Sequence, residues 1–152
     1  MSDERLSTIL SGVAGQYFVA AELSRRGYIA TLTLRNTRGV DLLVAREDAT
    51  RSVGVQVKTN QGTSRVWLPD KKAEDVSAEN IVYIFVNLNG RNGAPSFHIV
   101  PSGVVAAFCR ERHSEWVRTP GRNGSPRKDS SMRKFADQEG TYLGAWNNLG
   151  LS

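Results

Sequence analysis

Ser52-Val-Gly-Val-Gln-Val-Lys-Thr59 is the stretch on which the fold turns. Val53, Val55 and Val57 alternate strictly with Gly54, Gln56 and Lys58, and side chains two apart on a strand share a face. The segment is therefore predicted to be a strand with a valine row toward a core and an amide and an ammonium together on its other face. Just upstream, Val40-Asp-Leu-Leu-Val-Ala45 reads as a strand, and the polar residues 46–51 between the two read as a turn. So short a connection makes the strands antiparallel neighbours. On that hairpin Asp41 lies beside Gln56 and Lys58, which gathers an acid, an amide oxygen and a cation at one end of a sheet.

Toward the N-terminus, Leu6, Ile9, Leu10, Val13, Tyr17, Ala20, Ala21 and Leu23 recur at three-to-four spacing, so the span Leu6 to Arg26 is predicted to be an amphipathic helix with this stripe inward. Gly27, directly after Arg25 and Arg26, fits a left-handed terminator with cations complementing the helix dipole. Tyr28 to Leu34 reads as the first strand and residues 36–39 as a turn. Beyond the loop at 60–64, residues 69–79 are predicted helical, and the apolar run Ile81-Val-Tyr-Ile-Phe-Val86 is expected to be a central strand. Ser96-Phe-His-Ile-Val100 reads as a short strand, and Pro101 opens a helix that extends to about Arg112. Residues 118–131 form an irregular basic loop, and Tyr142, Leu143, Trp146 and Leu149 mark a last short helix. This order predicts an α/β sandwich, a mixed central sheet flanked by helices. One domain is expected over 1–152, with its core at 6–100 and C-terminal helices and the basic loop at 101–152.

Bulk properties narrow the function. A hydrophobic fraction of 39% with no long apolar run excludes a membrane helix. The N-terminus leads into an amphipathic segment rather than a secretory signal, and Cys109 is the one cysteine, so no internal disulfide forms; both point to the cytoplasm. The net charge of +5 is concentrated in residues 110–134, where eight cations face three acids. A localised basic segment is the footprint of a polyanion binder, or else a solvated surface run. Arg118, Arg122, Arg127, Lys128, Arg133 and Lys134 are its candidate phosphate contacts, and Trp67, following Arg65, reads as a partly buried anchor or as a residue that stacks on a base near the cleft. His98 reads as a hydrogen-bonded structural residue, and His113 as a helix-end cation. Cys109 and His113, four apart, are too few ligands for zinc. No phosphate-cradling glycine motif is present.

Asp41-Leu42, then Gln56-Val-Lys58, preceded by the helix segment Gly12-Val-Ala-Gly-Gln-Tyr-Phe-Val-Ala-Ala-Glu-Leu23, resembles the PD-(D/E)xK nuclease superfamily. The likeness spans about ninety residues and is greatest to a group of small bacterial domains that includes Holliday-junction-resolvase-like proteins. It implies a restriction-endonuclease-like fold with an α-β-β-β-α-β core. It also implies a nuclease in which Asp41, Gln56 and the Val57 carbonyl hold Mg²⁺ or Mn²⁺, Lys58 contacts the water or the scissile phosphate, and Gln16 completes the site. DNA would be the substrate, and homodimers occur among such enzymes. The chemistry needs these types: Mg²⁺ takes oxygen ligands, keeps several waters and activates one of them, and a lysine offsets charge developing on the phosphate. Two glutamines stand where the family has acids. With Gln56 and Gln16 neutral, the missing carboxylates forfeit on the order of a few kcal/mol of metal attraction at an effective dielectric near 20. Glu22 does not replace them, because six residues on a helix turn it about 240° away from Gln16. A catalytically inactive nucleic-acid-binding module on the same fold, or an interaction component of a defence or toxin system, stands beside the enzyme reading.

Overall fold

The computed structural model describes residues 4–34 and 39–152. The predicted valine strand lies at the middle of a five-stranded sheet. In chain order, helix α1 (Thr8–Arg25) is followed by β1 (Tyr28–Leu32), β2 (Leu42–Arg46), β3 (Ser52–Asn60), β4 (Val66–Trp67), β5 (Ile81–Asn87), β6 (Ser96–Pro101), α2 (Ser102–Arg118) and β7 (Phe135–Ala136). The sheet order is β1-β2-β3-β5-β6. Strands β1, β2 and β3 are antiparallel neighbours, β2 and β3 being joined by the short turn at 47–51, whereas β3 and β5 run parallel and need the long crossover between them. The mixed sheet and flanking helices match the expected α/β sandwich. No helix among the described residues is long and apolar enough to cross a membrane.

Both faces of the sheet are covered. On one, Val53, Val55 and Val57 join Val82, Ile84, Val86 and Ile99 beneath Val19 and Leu23 of α1, and Leu149 and Leu151 close the cluster. On the other, Tyr83, Phe85 and Val100 pack against Val105 and Cys109 of α2 and against Trp67 and Phe135. Burial on both sides explains why β5 reads as an unbroken apolar run.

Helix α1 buries only part of the stripe its periodicity predicts: Leu23 is inside and Leu6 and Ala20 pack on the core, whereas the other large residues of the stripe face outward. Its buried residues are Ser11, Gly15, Val19 and Leu23, while Ile9 is 71% and Tyr17 61% exposed, with Leu10 and Val13 also outward. The cause is a close approach at Gly15: a Cβ there would lie 1.8 Å from Thr59 Oγ1. Only the small-residue face lets the helix axis come that near to β3. Its end is as predicted, with Gly27 at φ +91° just past the cap.

Three further expectations need correction. The helix predicted for 69–79 is a single 3-10 turn, Lys71–Glu74. The Ser102 hydroxyl accepts from Ala78 N at 3.0 Å and donates to its carbonyl at 2.9 Å, holding the chain there in a non-helical connection to β5. Helix α2 continues to Arg118 instead of ending near Arg112, and the last helix is another 3-10 turn, Trp146–Leu149. The turn predicted at 36–39 falls largely outside the described residues.

A two-stranded ribbon, β4 with β7, joins the crossover to the C-terminal segment. It is fastened by a buried clasp: His98 Nδ1 lies 2.7 Å from Asp137 Oδ2, and Asp137 also accepts from Thr141 N and Tyr142 N at 2.8 and 2.9 Å. The imidazole sits edge-on to Trp67, with ring centroids 4.8 Å apart. His98→Ala would strip the side-chain partner from a buried carboxylate and open a void beside Trp67. We expect a loss of about 3 kcal/mol in urea unfolding at neutral pH; a loss below about 1 kcal/mol would reject the clasp as a fastening.

Candidate metal and phosphate site

The β2–β3 ladder ends at Leu42 opposite Val55, and the chain leaves the sheet there through Asp41, Val40 and Gly39. Backbone bonds fix Asp41 on both sides: its N–H donates to the Val55 carbonyl at 2.8 Å, and its carbonyl accepts from Thr33 N at 3.0 Å. Its side chain then takes the place of the next rung, Oδ2 accepting the Val57 N–H at 2.7 Å. In a strand the N–H and C=O of one residue point to the same edge. The Val57 carbonyl therefore faces the same opening as the Asp41 carboxylate, and it receives no hydrogen bond among the described residues. Asp41 Oδ1 likewise has no donor among the described residues.

Two glycines shape this opening. Gly54 lies on the same face as Gln56, and a Cβ there would meet Val40 Cγ2 at 3.1 Å, so the bare backbone seats Val40 and with it the approach to Asp41. Gly39, at φ +62°, takes a left-handed turn, and the Gln56 amide oxygen lies 3.8 Å from where its Cβ would stand. Gln56 and Lys58 are half-buried on one face, and neither side chain forms a hydrogen bond or ion pair among the described residues. Their polar ends are available. Gln16 follows Gly15, the residue seated on Thr59, and is half-buried on the helix that covers the valine face of β3. Glu22 is instead held in ion pairs with Arg25 and Arg26.

Beside Gln56 on β5 stands Tyr83, whose hydroxyl is pushed up to about 12, chiefly by burial, with the charges of Cys109, Asp41 and Asp70 adding to it. It stays a neutral phenol next to the site. The donor set is thus one carboxylate, one backbone carbonyl and one amide oxygen, and no cluster of three acids, histidines or cysteines occurs among the described residues. All-oxygen ligation with few protein ligands fits a magnesium ion that keeps several waters, held weakly for want of charge.

The candidate nucleic-acid contacts divide sharply. Trp67, expected to stack on a base, is 1% exposed: it is covered by Phe85 and His98, and its indole N–H donates to the Val86 carbonyl at 3.0 Å. Arg133, expected on phosphate, is 3% exposed and spends its guanidinium on Glu74 and the carbonyls of Ser130 and Met132. Both belong to the interior. Arg65 is half-buried and donates to the Gln138 carbonyl at 3.0 Å. Arg118, Arg122, Lys128 and Lys134 are exposed, and Arg127 lies over the ring of Trp116, 4.8 Å from its centroid. Trp116 is an exposed aromatic within the basic segment that sequence reasoning missed. Its signal was there in principle, four residues before Pro120 among arginines, but helix α2 had to reach it first.

The chain matches no protein-family model and no curated protein. Among solved structures it is similar to the bacterial homing endonuclease I-Ssp6803I, with 13% identity and a TM-score of 0.58 over 93% of this chain and 92% of that one. A second similarity is to Hjc, a Holliday junction resolvase of Archaeoglobus fulgidus, with 8% identity and a TM-score of 0.47 over 83% and 84% of the two chains. The first shows the fold, and the α/β sandwich it shares with this chain is the one expected from the sequence.

Arg133→Ala is expected to lower stability by about 3 kcal/mol, because it leaves Glu74 and two carbonyls unpaired. Arg122→Ala should stay within about 0.5 kcal/mol of the parent. Equal melting temperatures for the two variants would return Arg133 to the surface set.

Proposed function

We propose that this nuclease-type fold works as a metal-dependent phosphodiesterase on nucleic acid, DNA being the expected substrate, through a variant Asp-Gln-x-Lys site. The observation that carries the reading is the shared opening of the Asp41 carboxylate and the Val57 carbonyl, with Lys58 one residue further along the strand. Asp41, the Val57 carbonyl and the Gln56 amide oxygen would hold Mg²⁺, or Mn²⁺ in its place. When bound, the metal polarises a phosphate oxygen and makes a water acidic enough to attack. Lys58, with no acid competing for it among the described residues, offsets negative charge that builds up on the phosphate. Gln16, next to the residue of α1 that meets Thr59, would orient water by hydrogen bonding. The exposed cations Arg118, Arg122, Lys128 and Lys134 would hold the backbone, and so make binding fall steeply with salt.

Cleavage of plasmid, single-stranded DNA and structured RNA with Mg²⁺ or Mn²⁺ tests this. Wild type should cut, and Lys58→Ala should cut at least a hundredfold more slowly at unchanged stability, the scale of losing one preorganised charge-stabilising group. Gln56→Glu should lower the metal concentration needed for half-maximal rate on the order of tenfold, since one added carboxylate near the ion is worth roughly 1 kcal/mol or more. If neither wild type nor the double variant Gln16→Glu with Gln56→Glu cuts, while salt-sensitive binding persists, the chain is a binding module and the enzyme reading fails.

A homodimer is also proposed, through the outer face of α1. From Thr8 to Ala21 the helix has no charged residue, and Ile9, Leu10, Val13 and Tyr17 are exposed. An uncharged apolar face can meet its own copy about a two-fold axis without opposing like charges. Sedimentation should give a dimer that Val13→Glu converts to monomer; a monomeric wild type at tens of micromolar would end this proposal. The single buried cysteine, Cys109, is compatible with a reducing cytoplasm, where we place the protein.

A further inference from the structure

Away from the opening at Asp41, the end of α2 and the returning basic loop enclose a groove of about 450 Å³. Its wall is an aromatic tier. The Trp116 indole is 40% exposed, Arg127 covers it at 4.8 Å, and the His113 ring lies 5.7 Å away and nearly parallel at 23°. His113 is itself held by Asp129, with 2.7 Å between Nε2 and Oδ1, so the tier is braced from the loop side. Arg112 and Lys134 add two exposed cations to the lining, against one acid there, Glu115. Arg133 also borders the groove, but its charge is already spent on Glu74.

Phosphate binding alone asks only for cations, and a duplex offers little more to such a surface because the faces of its bases are covered by their neighbours. A flat indole, stacked with a guanidinium and left partly open between further cations, asks for something planar that carries negative charge. Resting on the nuclease reading above, we infer that this groove binds an unpaired nucleotide of single-stranded nucleic acid. The base extends the Trp116 tier, and its phosphates meet Arg112, Arg127 and Lys134. Trp116 takes the stacking role that the buried Trp67 cannot play, and the groove gives the protein a preference for single strands that is separate from the site of cleavage.

The test is binding by the full chain in EDTA, which silences metal-dependent turnover, to a fluorescein-labelled single-stranded oligonucleotide and to the matching duplex. Trp116→Ala should weaken the single strand on the order of tenfold. It should leave the duplex within about twofold and the salt slope unaltered, because no phosphate contact is lost. Trp116→Phe should restore most of the loss, and Trp116→Leu, which keeps bulk without an aromatic face, should not. Arg127→Ala should weaken both ligands and reduce the salt slope by about 1. Equal losses for single strand and duplex, or full affinity in Trp116→Leu, would overturn the assignment and leave the Arg127–Trp116 contact as a fastening of the loop. A wild type that cleaves but whose Trp116 variants bind normally refutes this inference alone. A wild type that binds neither ligand refutes the nuclease reading with it.

Discussion

At Val57 the central strand loses a neighbour, and the candidate site depends on how that loss is made good. Strand β2 pairs with β3 only as far as Leu42 and then departs, which would strand the Val57 N–H and C=O together. The Asp41 carboxylate meets the N–H, an acceptor supplied by the residue that ends the ladder. Nothing among the described residues meets the C=O. A carboxylate and a carbonyl are thus brought to one opening by the need of a backbone donor for a partner, before any ligand is considered. The bond also fixes the carboxylate, so its second oxygen faces outward without the entropy of a free side chain.

The two-sided sheet makes this opening compatible with a stable interior. A strand buried on both faces leaves little room for polar side chains, yet β3 carries Gln56 and Lys58 on the face beneath α2 and the β4–β7 ribbon. Burial along that face relaxes from Gly54, which is covered by Val40, to Gln56 and Lys58, which are half-exposed. The second core is assembled from Tyr83, Phe85, Trp67 and Phe135, with Phe85 and Phe135 stacked at 4.6 Å, so aromatic bulk gathers on β5 and the ribbon and leaves the polar row of β3 open to solvent. The basic loop contributes to both tasks: Arg133 turns inward to Glu74 and secures the ribbon, and the arginines around Trp116 remain outside.

Strand alternation was legible because a period of two is a local property, and Val53, Val55 and Val57 declare it without reference to anything distant. With the hairpin it brought Asp41 to the stretch of β3 that carries Gln56 and Lys58, where its carboxylate accepts the Val57 N–H. The face of α1 was not legible, since hydrophobic periodicity weighs side chains, and here the decisive contact is a missing one: Gly15 admits Thr59, and the bulky stripe turns outward. Trp67 and Arg133 were misplaced for another reason. Both lie in or beside strands of two residues whose pairing spans the chain from Val66 to Ala136, and no local pattern encodes such a partner. Ser102 is a further case, a hydroxyl twenty-four residues away that decides the conformation of Ala78.

The first core contains Leu149 and Leu151 alongside Val19 and Leu23 of α1, and the clasp on β6 waits for Asp137. A ribosome has supplied every residue of the Asp41, Gln56 and Lys58 cluster once residue 58 is made, but the helix that presses on β3 has no complete core beneath it until residue 151 follows. Domains fold as units during synthesis, once the contacts that close them exist. The nascent chain therefore carries Asp41, Gln56 and Lys58 well before it can hold them in register, and the core that presses α1 onto β3 closes only after residue 151 has joined it.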